Sequence, residues 1–284
     1  MKQVTQRLRD GRIEVLDVPP PELRPEGVLV AVRASLVSAG TERKKVETGR
    51  KSLVGKAQSR PDDVRKVIEK ARRDGLAETI QAVRTRLKEP AALGYSAAGV
   101  VVAAGARVTD LAPGDEVACG GGGYAVHAEI DYVPANLAVR VPDGVGFAAA
   151  AFATVGSIAL HAVRQADVRI AERVAVIGLG LVGQLAGQIL RAAGCRVVGV
   201  DLAPHLVEGA VRDGAADVAF ARDALGEHLP VEARDCDAIV VAAATSSADP
   251  VELAARLARD RGRVVVVGDV SMDVPRRPYY EKEL

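Results

Sequence analysis

One segment constrains this chain more than any other: Val174-Ala-Val-Ile-Gly178-Leu-Gly180-Leu-Val-Gly183, an apolar run that stops at a glycine, turns, and starts an alanine- and leucine-rich helix. Gly178, Leu179, Gly180, Leu181, Val182 and Gly183 have G-x-G-x-x-G spacing. In that pattern the first glycine makes a tight turn, the second lets the backbone approach a pyrophosphate, and the third lets helix and strand pack closely. The helix N-terminus then offers N–H groups and partial positive charge to the phosphates. Glycine-rich turns are common, so the hexapeptide alone is a weak signal, and its context carries the weight. Arg173 to Ile177 reads as a buried strand, Gln184 to Ala193 as a helix, and Cys195 to Asp201 as a second strand ending in an acid.

Asp201 follows Gly178 by 23 residues, near the roughly 20 expected of the carboxylate that binds adenosine ribose hydroxyls. A carboxylate accepts from a free 2′-hydroxyl and repels a 2′-phosphate. Leu202-Ala-Pro-His205 adds no arginine or lysine. The expected cofactor is NAD rather than NADP.

The 284 residues suffice for two domains, and 49% hydrophobic content supplies two cores. The N-terminus, Met-Lys-Gln-Val-Thr-Gln-Arg, has no apolar stretch after it, so a secretory signal is not expected and a cytoplasmic location is. Gly144 to Val163 contains no Asp, Glu, Lys or Arg, but it is mostly alanine and glycine. It reads as a buried junction helix rather than a membrane span. Cys119, Cys195 and Cys236 are widely spaced without a C-x-x-C, which argues against a disulfide framework or structural zinc and for buried thiols.

Residues 1 to about 40 read as short strands, with a turn at Asp10-Gly11 and period-two valines at 28, 30 and 32. The pattern resumes at Ala98 to Ala104 and runs through the Pro113-Gly-Asp turn to Val133, which suggests a small barrel. Between these halves, residues 42–90 read as an inserted helical hairpin. It has 15 Lys/Arg against 8 Asp/Glu in a chain of net charge +1. That excess fits a solvated helical face, or an anionic substrate or acidic partner; without aromatics it does not suggest nucleic acid. From about residue 150, strands alternate with helices, as in a doubly wound parallel sheet.

The order of these parts resembles the medium-chain dehydrogenase/reductase family, in which a GroES-like catalytic domain precedes a Rossmann domain. The stretches that carry the resemblance are Ser38-Ala-Gly-Thr-Glu42, Gly94-Tyr-Ser-Ala-Ala-Gly-Val-Val101, Pro113-Gly-Asp-Glu-Val117, the Gly178 fingerprint, Gly214-Ala-Ala-Asp217 and Gly262-Arg-Val-Val-Val-Val-Gly268. The helical insertion, Gly94-Tyr-Ser and Tyr279-Tyr-Glu-Lys-Glu-Leu284 are similar to the dehydrogenase half of bacterial bi-domain oxidoreductases. The resemblance implies an α/β chain with a GroES-like domain at 1–155 and an NAD-binding Rossmann domain at 156–284, incomplete at its C-terminal end with an exposed sheet edge. It also implies a small-molecule substrate in the cleft between the domains, a fused or associated second oxidoreductase module and self-association.

The positions that hold catalytic zinc in zinc-dependent members are here Ala39, Tyr95 and Ala153. None is a zinc donor, so the expectation is no metal. Thr41 matches the hydroxyl that relays a proton in relatives, and Tyr95 stands in for the lost histidine. Its phenol can donate a hydrogen bond to substrate, or pack at an interface; acting as a base would need a nearby cation, and Lys44 and Lys45 are near in sequence. Glu42 matches an acid beside the metal and, without metal, is expected to pair with a basic side chain. Ser157 falls where the family contacts nicotinamide. The four histidines, His127, His161, His205 and His228, form no metal spacing and no triad, so no catalytic role is assigned to them; His127, read as lying in a strand near the expected cleft, is the one to follow. The implied activity is zinc-independent, NAD-linked interconversion of an alcohol and a carbonyl, with a sugar, phosphorylated sugar or nucleotide-linked sugar left open and an enoyl or quinone reductase as a variant. The alternative is a non-catalytic NAD-binding or scaffold module.

Overall fold

The computed structural model describes residues 1–7, 10–50, 65, 69, 72–73, 75, 78 and 90–284. The chain divides into two units, Met1–Thr154 and Val155–Leu284.

Period-two alternation builds the first unit. Its strands are β1 (Lys2–Arg7), β2 (Ile13–Asp17), β3 (Gly27–Ser35), β4 (Pro90–Ala92), β5 (Ser96–Ala104), β6 (Glu116–Gly120), β7 (Ile130–Pro134) and β8 (Ala138–Arg140). They form a three-stranded sheet, β2-β1-β4, and a five-stranded sheet, β7-β3-β5-β6-β8, with antiparallel pairing throughout. The expected Asp10-Gly11 turn joins β1 and β2, with the Asp10 carboxylate accepting the Arg12 N–H at 3.1 Å. Bonds from the Val4 N–H to the His127 carbonyl and from the His127 N–H to the Leu93 carbonyl, both 2.8 Å, stitch the sheets together. The result is a curled antiparallel half-barrel of the GroES-like kind. Inward side chains Val28, Val30, Val101, Val117 and Val133 fill it. Helix Ala39–Arg50 follows β3. Most of the helical hairpin expected within 42–90 lies outside the described residues, as do the side chains of Lys44 and Lys45.

The second unit is a parallel sheet of β9 (Arg173–Ile177), β10 (Arg196–Asp201), β11 (Val218–Ala221), β12 (Cys236–Val241) and β13 (Ala258–Val266), in the order β11-β10-β9-β12-β13. This is the strand order of a Rossmann sheet, which reverses beside the first strand. Alternate residues of β9 serve opposite cores. Val174 and Val176 pack with Ala186 and Leu190 of helix Leu181–Ala192, while Ala175 and Ile177 pack with Leu253 and Leu257 of helix Asp249–Leu257. Both faces are covered, which is why the strands read as continuous apolar runs rather than as alternation.

Two details differ from expectation. Residues 144–163 are not one buried helix: the segment breaks at Ala151-Phe152 into helices Phe147–Ala150 and Ala153–Gln165. The second helix buries Val155, Ala159, Ala162 and Val163, at helical spacing, and exposes Ile158 and Leu160. β13 begins five residues earlier than the run from Arg263, past an irregularity opposite Cys236 to Ala238. It is one of the two edge strands of this sheet, with β11 at the other side. Helix Arg276–Glu281 turns back onto helix Asp249–Leu257, where the Tyr279 hydroxyl donates to the Val251 carbonyl at 3.0 Å and Lys282 Nζ donates to the Ala258 carbonyl at 2.6 Å.

Candidate functional site

The glycine fingerprint sits at the C-terminal end of β9, between β10 and β12, where the strand order reverses and ligands of open α/β sheets bind. Gly178 has φ of 94°, and a Cβ there would lie 2.6 Å from the Ala243 nitrogen. Only glycine satisfies both the left-handed conformation and the close approach. A Cβ on Gly183 would fall 1.8 Å from the Gly178 carbonyl oxygen, so the third glycine is what lets the helix seat on the strand end. Gly180 differs from both: a Cβ there meets nothing within 4 Å.

Gly180 is also the N-cap of helix Leu181–Ala192, and no side chain caps it. The first-turn N–H groups of Leu181, Val182 and Gly183 are therefore left for another acceptor. A helix start with free donors and open space before it fits a pyrophosphate. The helix begins three residues before the expected Gln184, inside the fingerprint itself. Leu179 is buried and directs its N–H to Asp201 Oδ2 at 2.7 Å, while Asp201 Oδ1 accepts the Ala203 N–H at 2.8 Å. A carboxylate has about four acceptor positions, so both oxygens keep capacity for ribose hydroxyls. Leu202, the next residue, is 80% exposed and uncharged. Ser157 is on the exposed side of helix Ala153–Gln165.

In the first unit, Thr41 is exposed in the first turn of helix Ala39–Arg50, and Tyr95 is half-buried just before β5. Ala39 and Ala153 are exposed methyl groups. The donor set for a catalytic zinc is absent at these positions, and among the described residues no group of three or more His, Cys, Asp or Glu could hold a metal. Two donors among the described residues of this unit, His127 and Glu42, are engaged with each other. His127 Nδ1 is 2.9 Å from Ser35 Oγ, and its Nε2 is 3.0 Å from Glu42 Oε2. Sequence reasoning singled out His127 and Glu42 but not Ser35, whose serine-to-strand-end position carries no local signal. The remaining histidines, His161, His205 and His228, are exposed.

Asp131 likewise carries no local signal in the sequence. It points inward from β7 and is 3% exposed. Burial pushes its carboxyl up to about 8, against the lowering effect of the Val126 N–H bonded to Oδ2. It borders a cavity of about 340 Å³ shared with Arg24, Tyr124 and Tyr132, where the Arg24 guanidinium lies 5.3 Å above the Tyr132 ring.

Two family descriptions match the chain: alcohol dehydrogenase GroES-like domain over residues 63–168, and zinc-binding dehydrogenase over residues 182–282. A D-guloside 3-dehydrogenase of Escherichia coli is 37% identical over 124 residues, 43% of this chain and 35% of that protein. The sorbitol dehydrogenase of Ovis aries is 31% identical over 159 residues, 45% of this chain and 44% of that enzyme. The chain thus spans less than half the length of either relative. Among solved structures, galactitol-1-phosphate dehydrogenase from Escherichia coli shares the fold with a TM-score of 0.74 at 20% identity, covering 100% of this chain and 81% of that one.

Proposed function

We propose, from the premise that this chain belongs to the medium-chain dehydrogenase/reductase superfamily, that it carries out NAD-linked oxidation of a sugar-derived alcohol, or reduction of the matching ketone, without a metal. The observation that carries this reading is the uncapped helix start at Gly180 facing open space, with Asp201 and the uncharged Leu202 beside it. The substrate class is suggested by the relatives, a D-guloside dehydrogenase and a sorbitol dehydrogenase.

Bound NAD supplies the acceptor or donor of hydride. The chain's own part is to hold it: the first-turn N–H groups of Leu181, Val182 and Gly183 would take the pyrophosphate, Asp201 would take the ribose hydroxyls, and Ser157 would contact the nicotinamide. Oxidising an alcohol also requires the proton on oxygen to leave. In this reading the Tyr95 phenol donates a hydrogen bond to that oxygen as charge develops, and Thr41 Oγ1 accepts the alcohol proton while passing its own hydroxyl proton to the solvent to which it is exposed. Hydrogen bonds thereby replace Lewis acidity at a position whose three residues, Ala39, Tyr95 and Ala153, cannot hold zinc.

The reading extends to a cytoplasmic chain that works with a fused or associated second oxidoreductase module and self-associates. Three buried free cysteines support a reducing compartment. Among the described residues no helix is long and apolar enough to cross a membrane.

The alanines at two metal positions favour a second reading, a module that binds NAD without turnover. Titration of the intact gene product with NADH and NADPH, followed by a panel of polyols and ketoses with and without a chelator, separates the two. The expected result is binding at least tenfold tighter for NADH and turnover untouched by the chelator. NADPH preference, or activity lost to chelation and restored by zinc, refutes the proposal; NADH binding with no turnover on any substrate establishes the second reading.

A further inference from the structure

The first unit holds a buried hydrogen-bonded chain that the cofactor cradle does not explain. Ser35 Oγ lies 2.9 Å from His127 Nδ1, and His127 Nε2 lies 3.0 Å from Glu42 Oε2. Glu42 Oε1 accepts the Ser38 N–H at 2.9 Å. The His127 and Glu42 side chains are each only 9% exposed. A carboxylate withdrawn this far from water persists when it is paired and hydrogen-bonded, and both oxygens of Glu42 are. A carboxylate only accepts, so Nε2 carries its proton toward Glu42, and in the neutral imidazole Nδ1 then accepts from the Ser35 hydroxyl.

The members come from separate places: the end of β3, the first turn of helix Ala39–Arg50 and the loop before β7. Two members of this hydrogen-bonded chain touch segments of interest. Glu42 directly follows Thr41, and through Ser38 it also fixes the helix start. His127 lies against Gly94, where a Cβ would come within 2.8 Å of the His127 backbone nitrogen and 3.1 Å of its ring. Tyr95 is the next residue.

The geometry points to His127 as a positioning residue: with Glu42 and Ser35 it ties the segment bearing Thr41 to the segment bearing Tyr95. The effect on turnover rests on the oxidoreductase reading above, whereas the tie itself is tested without substrate. The carboxylate at Glu42 sets the tautomer and orientation of the imidazole, and the imidazole holds the Gly94-Tyr95 backbone. A side chain that only filled space would need neither the charge nor the second hydrogen bond.

The experiment compares the intact protein with Glu42→Gln and Ser35→Ala by ¹⁵N-histidine and ¹³C-tyrosine NMR, with the Tyr95 signal assigned through Tyr95→Phe. The expected wild-type spectrum has His127 protonated at Nε2. In Glu42→Gln that pattern changes and the Tyr95 signal moves, while those of Tyr279 and Tyr280 stay in place. For any alcohol that is turned over, kcat falls at least tenfold and the Kd for NADH is unchanged. Should Glu42→Gln not fold, Ser35→Ala gives the same readout through Nδ1 and Tyr95. Variants that only lower the unfolding temperature, with the His127 and Tyr95 signals unmoved, overturn the tie. If wild type turns over nothing yet the Tyr95 signal still responds, the tie stands and the oxidoreductase reading falls.

Discussion

Replacing Asp131 with asparagine tests the energetics of the first unit directly. Asp131 shares the inward face of β7 with Val133, pairs across to Val30 of β3, and is 3% exposed. Loss of solvation raises its carboxyl from the ordinary 3.8 to about 8, and the Val126 N–H offsets that only in part. In the unfolded chain the same group ionises near pH 3.9. From about pH 4 to 8 the folded chain therefore holds a proton that the unfolded chain has released, so stability falls as pH rises and levels off above 8. At about 1.36 kcal/mol per pH unit, ionising this carboxyl costs on the order of 5 kcal/mol as an upper limit. Asparagine keeps the shape and an oxygen for the Val126 N–H but has no proton to lose. Urea unfolding of both proteins at pH 5, 7 and 9, followed by tyrosine emission, reads the difference. Between pH 5 and 7 the variant is expected to gain about 2–3 kcal/mol on wild type. Parallel pH curves would mean that the folded chain tolerates the charge, and the desolvation argument would be wrong.

The three glycines of the fingerprint separate in the same assay. Gly183→Ala sets a methyl group against the Gly178 carbonyl at 1.8 Å and is expected to cost about 1–3 kcal/mol or more of stability. Gly180→Ala, at φ −70° and ψ −167° with nothing within 4 Å, is expected to leave the urea midpoint unchanged and to raise the NADH Kd at least about tenfold; unchanged affinity would remove the pyrophosphate from that space. Asp201→Ala strips the acceptor from two N–H groups, Leu179 and Ala203, so a loss of about 1–3 kcal/mol in stability should accompany weaker NADH binding, measured by calorimetry. Cys119 and Cys236, both pushed up to about 12 by burial, should resist a disulfide reagent at pH 8 until urea is added, and prompt labelling of either in the folded chain would contradict their burial.

The nucleotide half was legible because its chemistry is local. Gly178 and Asp201 belong to one βαβ unit, and covalent proximity with right-handed crossover leaves little choice of where the acid ends up. Strand Arg173–Ile177 has the bounds read from its apolar run. What escaped was the bond between the Leu179 N–H and Asp201, which depends on how β9 and β10 terminate side by side rather than on either segment. The junction segment reads as one buried helix because it carries no charge; alanine and glycine make so weak an apolar stripe that neither the break at Ala151-Phe152 nor the exposed side with Ile158 and Leu160 shows in the letters.

The other half is non-local, and there sequence pattern and residue type conflict. Period-two alternation puts Asp131 on the inward face beside Val133, while its charge argues for solvent; the sheet register wins, and the raised carboxyl is the trace of that conflict. His127 lies 85 residues from Glu42 and 92 from Ser35, and only antiparallel pairing brings the three together. The metal position lies between these extremes. Aligned residues are enough to read the loss of zinc donors, since Ala39, Tyr95 and Ala153 stand in the chain as letters. What occupies the acid left behind is a property of the folded sheet alone: Glu42 needs a partner wherever it is buried, and His127 supplies it from a loop that no spacing rule connects to it.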